Sequence, residues 1–316
     1  MKNKKKKAVL GFIVSAAILL SSNRYLSRFS YYSTYNNYTS YDDELCDDSI
    51  MAQYDIGELG SFVPQGICAL DDCYLVSLYD SKEINNSVIY AIDFDGELLH
   101  KTSLDIKAHV GGIAYDETNG LLWVSSNGGC VKAYFVDDVL NNECVISPFN
   151  EFYVGDDLIN YKNNEAVSFM GIHNNNIVVG SYTLLDKGVM KEYKVNLNDE
   201  LCSLELVSTS YIPDKVQGVA FYENNEKEYV LFSRSYGRYN KSVLDICLYN
   251  EDILDYNDDS VCHSIYEMES MMEQIALNDD GDLAMMHENK AFIYCPDCSL
   301  KDIYVADMDY LLELKK

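Results

Sequence analysis

One short pattern returns five times along the chain, and it limits the possible folds more than any other feature. PQGI stands at 64–67, VGGI at 110–113, FMGI at 169–172, VQGV at 216–219 and MEQI at 272–275. The third positions are Gly66, Gly112, Gly171, Gly218 and Gln274, at intervals of 46, 59, 47 and 56 residues. Each anchor is followed by a turn rich in Asp, Asn and Glu and then by an apolar run: YLVS, LWVS, VVGS, VLFS and LAMM. A third apolar run comes next (SVIYAIDF, CVKAYFV, VMKEYKV, SVLDICLY, AFIYC). A weaker fourth closes each unit, as in LELVSTSYI at 204–212.

These runs are four to eight residues long, β-branched or aromatic, and bounded by Asn, Asp and Gly, which marks them as strands. Almost no segment carries a 3.6-residue apolar period, and the chain has only four prolines. Four strands repeated every 40 to 50 residues predict an all-β, five-bladed β-propeller. The anchor glycine has a steric reason, because blades converge at the axis and a side chain there meets the neighbouring backbone. A six-bladed ring is the alternative, with its extra blade hidden in the long interval between Gly112 and Gly171. Two segments compete to supply the strand that closes the ring, MAQYDIGEL at 51–59 and KDIYVADMD at 301–309.

The anchors resemble β-propeller repeats of the NHL, YVTN and gluconolactonase-like kind. They are similar to those of poorly characterised exported propellers of Gram-positive bacteria, which carry PQGI and H-x-GGI anchors. The chain has no Trp-Asp dipeptide, which argues against the WD40 class. The resemblance implies a propeller over nearly the whole domain and leaves activity open, since propellers host enzymes, lectins and scaffolds alike.

Charge divides the chain. Residues 1–28 hold five Lys, two Arg and no acid, whereas the whole chain has 24 Lys plus Arg against 51 Asp plus Glu and a net charge of −27. Lys2 and Lys4 to Lys7 precede an apolar run from Ala8 to Leu20. That is the layout of an export signal, and no small-residue cleavage site follows it. The expected organisation is a signal or membrane-anchor segment over 1–28, a hydrophobic helix; a Tyr/Ser/Asn-rich linker over 29–48; and the propeller over 49–316. The positive-inside bias places the propeller outside the cytoplasm, at the cell membrane or secreted. So acidic a domain offers no cationic face to nucleic acid.

A propeller gathers the starts of its inner strands and the ends of its second strands at one mouth. The starts supply Gln65, His109, Ser168, Gln217 and Glu273. The strand ends supply Tyr79, Asp80, Asn127, Tyr182, Arg234, Tyr236, Arg238, His287 and Glu288. Gln65, Tyr79, Tyr182, Gln217, Arg234, Tyr236 and Arg238 are the expected ligand-binding set. Arg234 and Arg238 are the only arginines after residue 28, and guanidinium forks recognise carboxylate, phosphate or sulfate. The competing account pairs them with two of the many acids. His109, Glu273, His287 and Glu288 are the candidates for acid–base catalysis, if they converge. The alternative for the whole set is loop residues that merely solvate a channel mouth.

The turns DFDGE (93–97) and NDDGD (278–282) lack the ligand spacing of an EF-hand and read as hairpin turns. The ten cysteines are scattered; Cys68 and Cys73 face each other across the first hairpin as one possible bridge, while Cys247 reads as a buried thiol. Cys295 and Cys298 have C-x-x-C spacing without a second pair for zinc. No cofactor or metal motif is present: no G-x-S-x-G, H-E-x-x-H or phosphate-cradling loop. The leading expectation is an exported, membrane-tethered propeller that binds a cell-wall glycan, a peptide or a surface protein at its mouth. The alternative is an extracytoplasmic hydrolase, lyase or lactonase, and a third possibility is a scaffold whose rim makes protein contacts.

Overall fold

The computed structural model describes residues 43–44, 50–57, 59–154, 167–198, 202–237, 240–250, 252–256, 262–288, 291 and 301–313. The segment 1–28, with its expected hydrophobic helix, lies outside these residues, as do Arg238, Cys295 and Cys298. Among the described residues no helix is long and apolar enough to cross a membrane.

The described strands form five sheets. Blade I runs outward from Phe62–Ala69 through Cys73–Asp80 and Val88–Asp93 to Leu98–Leu104. Blade II consists of Ile113–Asp116, Leu121–Ser126, Cys130–Phe135 and Asn150–Tyr153. Blade III holds Phe169–His173, Asn176–Gly180, Gly188–Leu197 and Cys202–Ile212. Blade IV holds Val216–Asn224, Lys227–Arg234, Ser242–Leu248 and Cys262–Met268. Blade V starts with Met272–Leu277, Asp282–His287 and Ile303–Asp307. Its outer strand is Ile50–Tyr54, antiparallel to Ile303–Asp307, so an early and a late segment share one sheet.

Both segments that competed for the closing position are therefore used, 51–59 in the outer strand and 301–309 in the third. The third strand expected at AFIYC (291–295) is replaced by Ile303–Asp307, and 292–295 lie outside the described residues. Among the described residues no sixth blade fills the interval after Gly112. Its described part holds the rest of blade II, a six-residue helix, Val136–Asn141, and a two-residue strand, Val145–Ile146, that pairs in parallel with Leu98–Leu104. Asp43–Glu44, within the expected linker, pairs in parallel with Cys262–Met268.

Five apolar cores, one at each interface between adjacent blades, explain why the strands lack simple alternation. In Cys73–Asp80, Leu75 packs toward blade II, while Tyr74 and Val76 pack toward blade V. Both faces of the blade are covered, so the strand reads as a continuous apolar run. Trp123 and Ile177 join blades II and III, Phe169 and Phe232 blades III and IV, and Leu231 and Met285 blades IV and V. Each such buried large side chain contributes about 1.5–3 kcal/mol.

At the axis the anchor residues meet the next blade directly. A Cβ at Gly112 would lie 2.8 Å from Met170 N, one at Gly171 3.0 Å from Val219 O, and one at Gly218 2.8 Å from Ile275 N. Serines of the second strands tie the same level together. Ser77 Oγ accepts from Gly66 N (2.9 Å) and donates to Val110 O of blade II (2.7 Å). Ser233 Oγ donates to Glu273 O of blade V (2.5 Å). The thiols of Cys68 and Cys73 are free, against the bridge considered from sequence, and burial pushes both well above the usual thiol range. Cys247, expected as a packed thiol, is disulfide-bonded.

Candidate ligand site at the ring axis

The fifth anchor has Gln274 where the others have glycine, and its side chain occupies the space the glycines leave. Gln274 Nε2 donates to Ile113 O (2.5 Å) and Met170 O (2.9 Å), and Oε1 accepts from Ile113 N (2.9 Å). One amide thus joins blades V, II and III across the axis. Below it lies a cavity of about 160 Å3 lined by Ile67, Ile113, Gly171, Val219, Ile275 and Gln274 itself. Above it lies a second cavity of about 160 Å3, lined by Gln65, His109, Gly111, Ser168, Tyr182, Gln217, Glu273 and Glu288. Gln65, Gln217 and Glu273 each stand one residue before the anchor position, which places them on the same side of its level.

Two carboxyl groups dominate this upper pit. Glu273 and Glu288 are hydrogen-bonded to each other, and Gln217 also bonds to Glu273. Gln65 Nε2 donates to Glu288 Oε2 (2.7 Å) and to Pro64 O (2.9 Å). Glu273 is only 7% exposed. Burial, and then the charge of Glu288, raise it well above the usual carboxylate range, so the pair holds one proton between its two carboxyls. Among the described residues no Lys or Arg lines the pit. Burial, with Tyr236, Glu273 and Asp214 nearby, keeps the Tyr182 phenol protonated.

The pit continues sideways. A cavity of about 300 Å3 shares His109 and Asn127 with it and adds Tyr79, Asp80, Glu83, Asn85, Ser87 and Lys107. The His109 ring packs on Tyr79, with centroids 4.3 Å apart. Val110, next to His109, holds a φ of +48°, a conformation that costs a β-branched residue on the order of 1–3 kcal/mol. Asp80 itself is committed to its own loop: burial opposes its charge, but N–H groups of Asn85, Lys82 and Ile84 hold the carboxylate well below its usual range.

The expected site residues therefore separate into three places. Gln65, His109, Tyr182, Gln217, Glu273 and Glu288 line the pit, and Tyr79 lines the adjoining groove. His287 is fully buried behind the pit: its Nδ1 lies 3.2 Å from Ser270 O, its ring packs edge-on to Tyr304, and burial lowers it to about 4. Strand alternation explains the split, since Glu288 follows it and faces the axis. Arg234 does not line the pit. Its Nε and Nη2 donate to Asp214 O (2.8 Å) and Oδ1 (2.5 Å), and Nη1 donates to Asp245 Oδ2 (2.9 Å). Ser233 takes the axial side of that strand, so Arg234 points to the opposite face. Tyr236 is 37% exposed, outside the pit lining. Among the described residues no group of three or more His, Cys, Asp and Glu is placed to hold a metal.

Neither a scan against protein-family models nor a search of curated proteins finds a match. The resemblance of the anchors to NHL, YVTN and gluconolactonase-like repeats, and to exported Gram-positive propellers, is thus unsupported beyond the propeller fold. Among solved structures, the chain is similar to the β-propeller domain of Myceliophteria thermophila Cps50 (Swd1). The two are 10% identical, with a TM-score of 0.38, over 78% of this chain and 83% of that one. It is also similar to the WD40 β-propeller domain of Doa1, at 9% identity and a TM-score of 0.38, over 82% and 95% of the two chains. At these values the likeness carries no argument about ligand or activity, and the five-bladed ring rests on this chain's own sheets.

Sequence patterns singled out the fifth anchor without showing what its glutamine does. The missing glycine was the available signal: a side chain at that level must either clash or cross the axis. Asp214 and Asp245, which hold Arg234, carry no local signature.

Proposed function

We propose that this β-propeller is a binding module that takes the end of an elongated polar ligand into the axial pit, with the next part of the ligand in the groove beside it. The observation that carries this is the convergence of Gln65, His109, Tyr182, Gln217, Glu273 and Glu288 from all five blades onto one cavity that shares His109 and Asn127 with a larger one. A concave site with a few convergent polar groups, floored by a side chain spanning the axis, suits one end group of a chain molecule. In this proposal residues 1–28 export the protein and tether it to the membrane, and the ligand is a wall glycan, a peptide or a surface protein. The cationic start with its apolar run supports export, and a disulfide at Cys247 suits an oxidising compartment. The test is a binding screen of the full-length protein against wall-derived glycans and peptides. Q65A and Y182F should weaken binding at least about tenfold with little change in Tm. Saturable binding untouched by both substitutions would remove the pit from the site.

One observation favours a second reading, acid–base catalysis: His109 lines the same cavity as a carboxyl pair that shares a proton. Directly bonded carboxyls are closer than the roughly 5–9.5 Å separation used in most glycoside hydrolysis, which leaves ester, lactone or lyase chemistry. Product formation measured alongside binding separates the two, and turnover lost in H109A with binding retained would establish the enzyme.

A further inference from the structure

We propose that the lower mouth of the axis, on the face opposite the carboxyl pit, is a docking site for a basic polypeptide segment that buries one apolar side chain in the cavity beneath Gln274. This surface takes no part in the binding role proposed above. The cavity of about 160 Å3 is lined from all five blades, and its described lining is apolar apart from the Tyr115 phenol and the Gln274 amide. Tyr115, Ile172, Phe221 and Leu277 of that lining are half-buried. An apolar cavity of roughly 150 Å3 accepts a benzene ring, so this one suits a single aromatic or branched aliphatic group rather than a length of chain. Both amide hydrogens of Gln274 are spent on Ile113 O and Met170 O, so its side chain offers an entering group no donor.

The chemistry around the mouth selects the rest of the partner. The turns that join inner to second strands all lie on this face, at 70–72, 117–120, 174–175, 225–226 and 278–281. They hold six exposed acids, Asp71, Asp72, Glu117, Glu226, Asp279 and Asp280, and no Lys, Arg or His. Lys227 follows Glu226 and offsets one of them. Their field reaches the cavity: burial first, then the charges of Asp71, Glu117 and Asp137, raise the Tyr115 phenol in its lining. A mouth ringed in this way repels anions, and it repels a second copy of a chain whose net charge is −27. A small neutral molecule would leave the turns unused. A peptide with one Phe or Leu between Lys or Arg residues uses both parts, the apolar group as the buried anchor and the flanking charges for orientation and rate of encounter.

The test is calorimetric titration of the full-length protein with the capped peptide acetyl-Arg-Gly-Phe-Gly-Arg-amide. We expect saturable binding that weakens at least about tenfold when the peptide's Phe is replaced by Ala, or both its Arg by Gln. Binding should also weaken severalfold as sodium chloride rises from about 50 mM to about 500 mM, because exposed charges are screened. Leu277→Lys, which puts a cation at the mouth, should weaken it at least about tenfold, and the pairs D71N/E117Q and D279N/D280N about three- to tenfold each, all with the thermal melt retained. D186N/E269Q removes the same charge from exposed residues on the opposite face and should change affinity less than about twofold, as should Q65A and Y182F in the upper pit. Absence of saturable binding, indifference to either peptide replacement, or an equal loss in D186N/E269Q overturns the proposal, the last because net charge alone would then explain the attraction. A loss confined to Q65A and Y182F would move the peptide to the upper pit and overturn it too. Equal binding of dodecyltrimethylammonium below its micelle concentration would replace the polypeptide with a cationic amphiphile, and dimers in sedimentation that block the peptide would replace it with a second copy; either overturns the partner proposed.

Discussion

Two buried clusters of ionisable groups sit at opposite ends of the inner strands, and they are built on opposite principles. At the end away from the pit, His173 closes the inner strand of blade III. Its Nδ1 is 3.1 Å from Glu192 Oε1 in the same blade, and its Nε2 is 2.8 Å from Glu228 Oε1 in blade IV. Phe221 stacks on the ring at 4.3 Å, and Asn176 donates to Glu192 at 2.6 Å. Burial works against the imidazolium, but the two glutamates outweigh it and raise His173, and His173 in turn helps hold Glu192 down. In the pit the acids face each other, and no Lys or Arg is among the described lining residues. Where charges are complementary and the hydrogen bonds are made, burial joins two blades. Where like charges are buried together, the fold carries a strain that a ligand can relieve.

The contrast yields four measurements, ordered by expected effect. The largest concerns Arg234, the other complementary cluster. Arg234→Ala removes the guanidinium bonded to the buried carboxylate of Asp245 and should cost about 3–5 kcal/mol in urea unfolding, while ligand binding at the pit by the surviving folded protein is unchanged. A loss of binding with full stability would move the arginine back into the site. Second, Gln274→Leu leaves Ile113 and Met170 backbone groups unpaired at the axis and should cost about 2–3 kcal/mol.

The third and fourth concern pH and have opposite signs. His173→Gln should lose about 1–3 kcal/mol, with a pH dependence that identifies the ion pair. A raised histidine stabilises fully below its unfolded value of 6.5, and that stability is lost as pH rises through the folded value. The depressed Glu192 stabilises above its unfolded value of 4.5, and that is lost as pH falls through the folded value. The difference between wild type and H173Q should therefore peak between 4.5 and 6.5; a flat profile would mean that His173 is held neutral. Glu273 runs the other way. Above 4.5 the unfolded chain sheds a proton that the native pit keeps, so stability declines with rising pH until the folded value is passed. Glu273→Gln removes that decline, and its Tm at pH 8 should equal or exceed wild type. A lower Tm at pH 8 that recovers at pH 4.5 would show the ionised pair to be stabilising.

How much of this was legible in the sequence follows from how local each cause is. Axial crowding acts on one residue per blade, so the five anchors, four of them glycine, reported the five blades, and the residues just before them reported Gln65, Gln217 and Glu273. Outer strands are half solvated, as in Asn150–Tyr153, and their weak pattern gave little to count. The third strand of blade V was misplaced because AFIYC and DIYVAD are equally good apolar runs, and only pairing with Asp282–His287 selects between them. Arg234 was assigned to the mouth because it ends a second strand, but its face is set by Ser233 one residue earlier. The His173 cluster was invisible, since its partners lie 19 and 55 residues away and become neighbours only when two blades pack.

The seam in blade V has a consequence for assembly. Ile50–Tyr54 hydrogen-bonds to Ile303–Asp307, so the earliest strand of that sheet to be synthesised must stay unpaired until nearly the whole chain exists. Circularity during synthesis therefore waits for that late strand, and joining such distant segments carries a large loop-closure cost. A chain shortened past Tyr54 would keep every residue of the pit yet present an open edge ready to recruit a strand from another molecule.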